Sequence, residues 1–286
     1  MAYGDLYRQR VQRFATIDDI DGQECTIEER EEYEPLIARN AVVFAGVDYR
    51  EVLRQAEAEK PQIMLWDGGN NDFPFIRPDL EIVLLDPFRP RHGVLYHPGE
   101  TNLRRAHVLV VNKVNSASSH GVERVLEIVS QINPQAQVVE TASVYQVDRP
   151  EAIRNKRVLV VEDGPTLTHG EMSYGIGYIA AQELGAREIV NPKPFARGSL
   201  RKTFALYPHI ADLLPAMGYG AEQMADLEAT INQTPADVVM VATPVDLASL
   251  LEIDKESVRL VYEIQPMGKP RVEDILVEFL KRYCFL

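Results

Sequence analysis

The densest group of reactive side chains in this sequence is the run VLVVEDGPTLTHGEMSYG at 158–175. Four apolar residues lead into an acid, Asp163, and then into a loop holding Thr166, Thr168, His169, Gly170 and Ser173. A helix beginning after such a loop offers unpaired N–H groups and the positive end of its dipole to an anion. Three hydroxyls add donors, and His169 can act as a cation, an acid or a ligand according to its protonation. Asp163 suits proton transfer or a divalent cation. Asp163, Thr168 and His169 are therefore the candidate catalytic groups, with Thr166, Gly170 and Ser173 as candidate substrate contacts. Gly175 and Gly177 would let a ligand approach the helix start closely. The plainer reading is a structural loop, for which fewer reactive side chains are expected. Downstream, Lys193, Arg197, Arg201 and Lys202 form a basic cluster. Two readings fit it: charge for a polyanionic substrate, with Arg197 as a contact, or ordinary solubilising surface.

A second group lies in WDGGNND at 66–72. Asp67 and Asp72 are candidate Mg²⁺ ligands, and Gly68 and Gly69 would allow backbone N–H groups to come close to a triphosphate. Asp and Gly are also common turn residues, so a simple strand-to-loop turn is the alternative. A third group, Asn112-Lys113-Val114-Asn115, resembles the N-K-x-D loop with which GTP-binding proteins hold their base. Asn115 stands where that motif has Asp. An amide both accepts and donates, so guanine and adenine both stay open. Ser143 follows the next apolar run, where such proteins often place a second base-contacting loop. In PGETNLR at 98–104, Arg104 could meet a phosphate and Glu100 a metal or hydroxyl; equally, Thr101 or Asn102 could simply cap a helix. No G-x-x-x-x-G-K-[ST] phosphate loop occurs.

These residues need strands to aim them. Short apolar runs at 41–45, 63–66, 82–85, 108–111, 137–140, 158–161, 188–191, 238–241 and 258–262 alternate with amphipathic stretches at 49–58, 121–131, 174–184 and 221–233. Continuous apolar strands between helices predict parallel strands covered on both faces, hence an α/β fold. Thr26 with Glu29 predicts a capping box that begins a solvated acidic helix. The polar segment 145–156, with Pro150, predicts a domain boundary: 1–148 as a nucleotide-binding domain lacking its phosphate loop, and 149–286 as a substrate-binding α/β domain.

The chain has 286 residues and a formal net charge of −13, from 43 acidic and 30 basic residues. That balance argues against a general nucleic-acid binder, which would need a basic face. No apolar run is long enough to span a membrane and the N-terminus is polar, so neither a membrane span nor a signal peptide is expected. Only Cys25 and Cys284 occur, far apart, which fits a reducing cytoplasm and no disulfide framework.

The stretches YGDL (3–6), VQRFAT (11–16), CTIEEREEYEP (25–35), WDGGNNDFPF (66–75), PGETNLR (98–104), NKV (112–114), VLVVEDGPTLTHGEMSYG (158–175), LPAMGYG (214–220) and GKPRVEDIL (268–276) together resemble the cyclic 2,3-diphosphoglycerate synthetase family. The likeness runs along essentially the whole chain, and EDGPTLTHG with LPAMGYG is its most specific part. It implies a P-loop, GTPase-like nucleotide unit of three layers and a second α/β domain. It also implies an ATP- and Mg²⁺-dependent closure of a phosphoanhydride on a small phosphorylated acid. Asp67 would serve the metal, Asn112 and Lys113 the base, and Asp163, Thr166, Thr168 and His169 the substrate loop. Such proteins carry a Rossmann-like domain and a Gly-rich phosphate loop ahead of the segment matching YGDL. The sequence is therefore expected to begin after that loop and, alone, to bind nucleotide poorly. GTP in place of ATP and a homo-oligomer are both compatible with this reading. Its alternatives are a regulatory GTPase or metallochaperone-like switch, and a binding module without catalysis.

Overall fold

A computed structural model describes residues 6–283 except 24, 69–71, 169, 171 and 218–219. The chain forms two compact units, Met1–Lys60 with Tyr145–Val261, and Pro61–Val144 with Tyr262–Leu286.

The first unit opens with β1 (Gln12–Phe14), α1 (Ile17–Gly22), α2 (Ile27–Ile37), β2 (Val43–Ala45) and α3 (Tyr49–Ala58). β1 and β2 pair antiparallel, Phe14 opposite Val43. Two capping boxes start the helices. Thr16 exchanges bonds with Asp19, and Thr26, as its spacing with Glu29 predicts, with Glu29. The acidic run is partly spent on Arg30, which is 9% exposed and held by Asp21 and Glu34. Phe14, Ile20 and Ile37 make a small core, with Tyr33 stacked on Phe14 at 4.9 Å.

The second unit begins without the strand expected at 63–66. Residues 61–68 form no strand, and Ile63 and Leu65 are 51% and 85% exposed. Apolar content alone does not make a strand; backbone groups need a partner ladder. Among the described residues no strand pairs with this run. Next come β3 (Ile82–Leu85), α4 (His92–Leu95), α5 (Gly99–Arg105), β4 (Val108–Val111), α6 (Ser119–Ile132) and β5 (Gln137–Val147). β3, β4 and β5 are parallel, with Ile82 opposite Val108 and Val108 opposite Gln137. β4 is buried on both sides, from Val108 to Val111, as a central parallel strand should be. Its Leu109 and Val111 pack on Leu103 of α5 and on Val125 and Val129 of α6.

The chain then returns to the first unit. It adds β6 (Arg157–Asp163), α7 (Gly164–Leu167), α8 (Ile176–Glu183), β7 (Glu188–Ile189), α9 (Gly198–Leu206), β8 (Leu214–Ala216), α10 (Ala221–Gln233), β9 (Val238–Ala242), α11 (Leu247–Leu250) and β10 (Glu256–Pro266). β6 pairs in parallel with β7, β8 and β9, and β9 with β10. Val158 to Val161 are wholly buried. They pack against Ala180 and Ala181 of α8, Leu200 of α9, and Leu227 and Ile231 of α10.

Last, α12 (Val272–Arg282) completes the second unit. Its Ile275 joins Val108, Val110 and Val139 on the face of the sheet opposite α5 and α6. That unit is therefore three layers, helix–sheet–helix, and the α/β class expected from the alternation is the class observed. Among the described residues no helix is long and apolar enough to cross a membrane.

Candidate functional site

In open parallel sheets ligands bind at the carboxyl ends of the strands, and each unit gathers polar residues there. In the first unit β6 ends in Glu162 and Asp163. Asp163 caps α7: its Oδ2 accepts the Thr166 N–H at 3.1 Å and the Thr166 hydroxyl at 2.5 Å. Thr168, 2% exposed, donates its hydroxyl to the Gly164 carbonyl at 2.9 Å. The Gly170 N–H closes onto the Pro165 carbonyl at 2.8 Å. Two glycines are dictated by crowding. A Cβ on Gly164 would stand 2.4 Å from the Ala216 carbonyl oxygen, and one on Gly170 2.4 Å from that of Thr166. Ser173 is exposed, and its carbonyl accepts the Ala211 N–H at 2.9 Å. His169 lies outside the described residues. The loop is thus preorganised by its own hydroxyls, with Asp163, Thr166, Thr168 and Gly170 in one tight turn and Ser173 on its open side.

Glu162 is the residue the sequence reading passed over. It is 3% exposed, and its Oε1 accepts the Tyr178 N–H at 2.7 Å. The N–H groups of Gly175 and Gly177 bond to it as well. Burial pushes this carboxyl up to about 7, against the pull of those three N–H groups, and the neighbouring Asp163 adds to the rise. Gly175 serves this carboxylate, since a Cβ there would lie 2.1 Å from Glu162 Oε2. A Cβ on Gly177 would first meet Ala242 Cβ of β9 at 2.5 Å, and then Glu162 Oε1 at 3.0 Å. The close approach expected of a ligand at the start of α8 is made instead by the protein's own side chain. An acid directly after four apolar residues was the available signal. Asp163, one place on, drew attention because it opens the loop. His209, also unremarked in the sequence, donates from Nε2 to the Leu167 carbonyl at 2.9 Å and so braces the end of α7.

The members of the basic cluster are each held by a different partner. Arg197 places its guanidinium on Gln233 Oε1, 2.6 Å from Nε, and its N–H on Thr230 Oγ1, both on α10. Lys193 Nζ donates to the Ile210 carbonyl at 2.5 Å and Arg201 Nε to that of Ala196 at 2.7 Å.

In the second unit the residues of the base-loop reading do come together. Asn112 accepts the Thr141 hydroxyl at 2.9 Å. Lys113, at φ +63°, places Nζ 3.2 Å from Asp86 Oδ2. Asn115 and Ser143 form a two-way amide pair: Asn115 Nδ2 donates to the Ser143 carbonyl, and the Ser143 N–H donates to Asn115 Oδ1, both at 3.0 Å. Asp86 and Thr141 were not anticipated. Asp86 directly follows β3, the same strand-end signal that Asp67 offers. Burial would raise the Asp86 carboxyl. The Lys113 ammonium, the Phe88 N–H at 2.9 Å and Arg89 outweigh burial and hold it below the usual carboxylate range.

Asp67, Gly68 and Asp72 are exposed, and Gly69 lies outside the described residues. The Asp72 carbonyl accepts Asn102 Nδ2 at 3.0 Å, which ties this loop to α5. Among the described residues no cluster of three metal-ligating side chains forms. Two carboxylates suit Mg²⁺ when nucleotide phosphates and water supply the remaining ligands. Glu100 and Arg104 satisfy one another, Arg104 Nη2 lying 2.6 Å from Glu100 Oε1. They sit on the rim of an open cavity of about 390 Å³ beside His97 and Thr101.

No family model matches the chain. It is 56% identical over 281 residues to a protein of Thermococcus kodakarensis named arginine synthetase ArcE. The match takes in 98% of this chain and 62% of that protein, so the chain spans less than two thirds of the relative's length. The relative is a synthetase by name, the class the motifs lead one to expect. Its named product is arginine, where the motif resemblance points to a cyclic diphosphoglycerate.

Proposed function

We propose that this chain is the larger part of an ATP-dependent synthetase that builds a guanidino compound, arginine or a close analogue. The observation that carries this reading is the 56% identity to the Thermococcus synthetase along 98% of the chain. Two strand-end sites, one in each unit, support it. Making a guanidino group requires a C–N bond at a ureido carbon, whose oxygen is a poor leaving group. Transfer of a phosphoryl or adenylyl group from ATP to that oxygen makes it leave when an amine attacks. In this reading the second unit holds the nucleotide: Asn112, Asn115 and Ser143 flank the base, and Lys113 is set by Asp86. Asp67 and Asp72 hold Mg²⁺, which neutralises phosphate charge during transfer. The turn from Asp163 to Ser173 in the first unit receives the amino-acid substrate. Its buried hydroxyls are fixed in place before binding, so little orientation has to be lost on contact.

Calorimetric titration of the chain with arginine, with the corresponding ureido amino acid and with 2,3-diphosphoglycerate tests this. The reading expects the two amino acids to bind and to compete, and Ser173→Ala to weaken them several-fold. The complete enzyme is expected to consume one ATP per arginine formed from the ureido acid and ammonium. Binding of diphosphoglycerate alone, with a cyclic phosphoanhydride in the ³¹P spectrum, would overturn it. It would favour the reaction that EDGPTLTHG (162–170) and LPAMGYG (214–220) bring to mind.

A further inference from the structure

In the first unit two residues far apart in sequence converge on the carboxyl end of β9. Glu31 of α2 accepts the hydroxyl of Thr243, which is 1% exposed and follows the last residue of the strand. Arg259 of β10 stands opposite Val241 in the parallel ladder, and its guanidinium reaches forward to the Pro244 carbonyl, 2.6 Å from Nη2. An anionic and a cationic side chain thus rest on consecutive residues, each against a neutral oxygen. Arg259 is the unusual member. Its Nε is buried without an acceptor, and among the described residues no carboxylate meets its guanidinium. Taking a guanidinium out of water without an anion costs free energy, and its planar fork is suited to a carboxylate. Acids are plentiful in a chain with 43 acidic and 30 basic residues, and Arg30, Arg157 and Arg271 each hold one. A buried donor left over at Arg259 calls for an anion supplied by a ligand.

We infer that Arg259 and Glu31 hold the headgroup of the amino-acid substrate, Arg259 taking the α-carboxylate and Glu31 the α-ammonium. The inference rests on the proposed reaction and adds the residues that select for a free α-amino acid over an amine or a simple acid. Their place in the sheet suits it. Glu162 of β6 lies opposite Ala242 of β9, so Asp163 and Thr243 leave the sheet side by side, about 5 Å apart at the ordinary strand spacing. An amino acid with its headgroup at Thr243 and Pro244 has the Asp163 turn within reach of its side chain.

The test is calorimetric titration of the chain with arginine, with agmatine (arginine without its carboxylate) and with guanidinovalerate (arginine without its amino group). Arginine should bind about tenfold or more tightly than either, as loss of one charge-assisted contact implies. Arg259→Gln should weaken arginine and leave agmatine unchanged, so that the two bind alike. Glu31→Gln should weaken arginine and agmatine and leave guanidinovalerate unchanged. The comparison of ligands on the unmodified chain needs no variant, so it decides the matter even where a variant fails to fold. Equal affinity of the unmodified chain for arginine and agmatine overturns the inference. So does an Arg259→Gln chain, folded by circular dichroism, that still prefers arginine. Binding of inorganic phosphate that Arg259→Gln abolishes, with arginine unaffected, would assign the guanidinium to a phosphoryl group and overturn it too. Failure of arginine and agmatine alike to bind would sink the proposed reaction together with this inference, whereas binding of both with equal affinity sinks the inference alone.

Discussion

Glu162 Oε1 accepts the backbone N–H of Tyr178 at 2.7 Å, so the positive end of α8 is already neutralised by the chain's own carboxylate. A helix start after a Gly-rich loop is normally a place for a phosphate. Here that place is filled from β6, so the first turn of α8 is already engaged by Glu162.

Glu162 should make stability depend on pH. Its carboxyl is raised in the fold to about 7 from an ordinary 4.5. The folded state then holds a proton that the unfolded chain has lost, so the contribution is complete below about 4.5 and vanishes as pH rises past 7. The difference in unfolding free energy between wild type and Glu162→Gln should shrink by about 3 kcal/mol over that window. Denaturant titrations at pH 5 and pH 8 measure it; an equal difference at both would refute the shift.

Gly175→Ala should destabilise the first unit by about 2 kcal/mol, because the new methyl would meet Glu162 Oε2 at 2.1 Å. The backbone at Gly175 is extended and fits any residue, so the cost comes from the carboxylate alone. A double-mutant cycle isolates it. In a Glu162→Ala background the penalty of Gly175→Ala should nearly disappear, and a penalty that persists would locate the strain elsewhere.

Asn115→Asp should loosen the base-loop geometry and leave guanine preference unimproved. The Asn115 amide donates to the Ser143 carbonyl and accepts its N–H. A carboxylate keeps the second bond and sets an oxygen against an oxygen in place of the first. The expected cost is about 1 kcal/mol, read from thermal unfolding. Calorimetry with GTP and ATP on both proteins checks the other half. A gain in GTP affinity on substitution would mean that residue 115 faces the base.

Lys113→Met should raise the Asp86 carboxyl, since the ammonium at 3.2 Å is the main force opposing burial there. Asp86 is held below its ordinary value, so what it contributes to stability is present above about 3.8 and is lost as pH falls through the lowered value. In the variant that acid loss should begin at higher pH. Carboxyl-carbon chemical shifts followed through a pH titration read both proteins, and an unmoved midpoint would assign the depression to Phe88 N–H and Arg89.

Much of the frame could be read from local pattern. Val108 to Val111 and Val158 to Val161 are continuous apolar runs bounded by polar residues, and they became buried parallel strands. Thr26 and Glu29 sat at the spacing of a capping box and formed one. The run at 63–66 shows where pattern fails: it is as apolar as β4, yet burial requires a neighbour, and composition carries no information about neighbours. The same limit hid Glu162. Nothing within a few residues of it marks Tyr178 as a partner sixteen places away, and a buried acid looks like a solvated one in sequence. Arg197 was grouped with Lys193 and Arg201 by proximity along the chain, whereas its guanidinium goes to Gln233, 36 residues on.

The placement of α12 fixes an order of events during synthesis. Val108, Val110 and Val139 are made early, and the residue that seals them, Ile275, follows by more than a hundred positions. A ribosome therefore releases β4 and β5 with one face bare, and that face stays bare while all of 145–261 is translated. The three-layer unit is finished only when α12 emerges. In the cell its aggregation hazard should peak between the synthesis of β5 and that of α12, so a chain stalled in that interval is the form in which holding chaperones would be most needed.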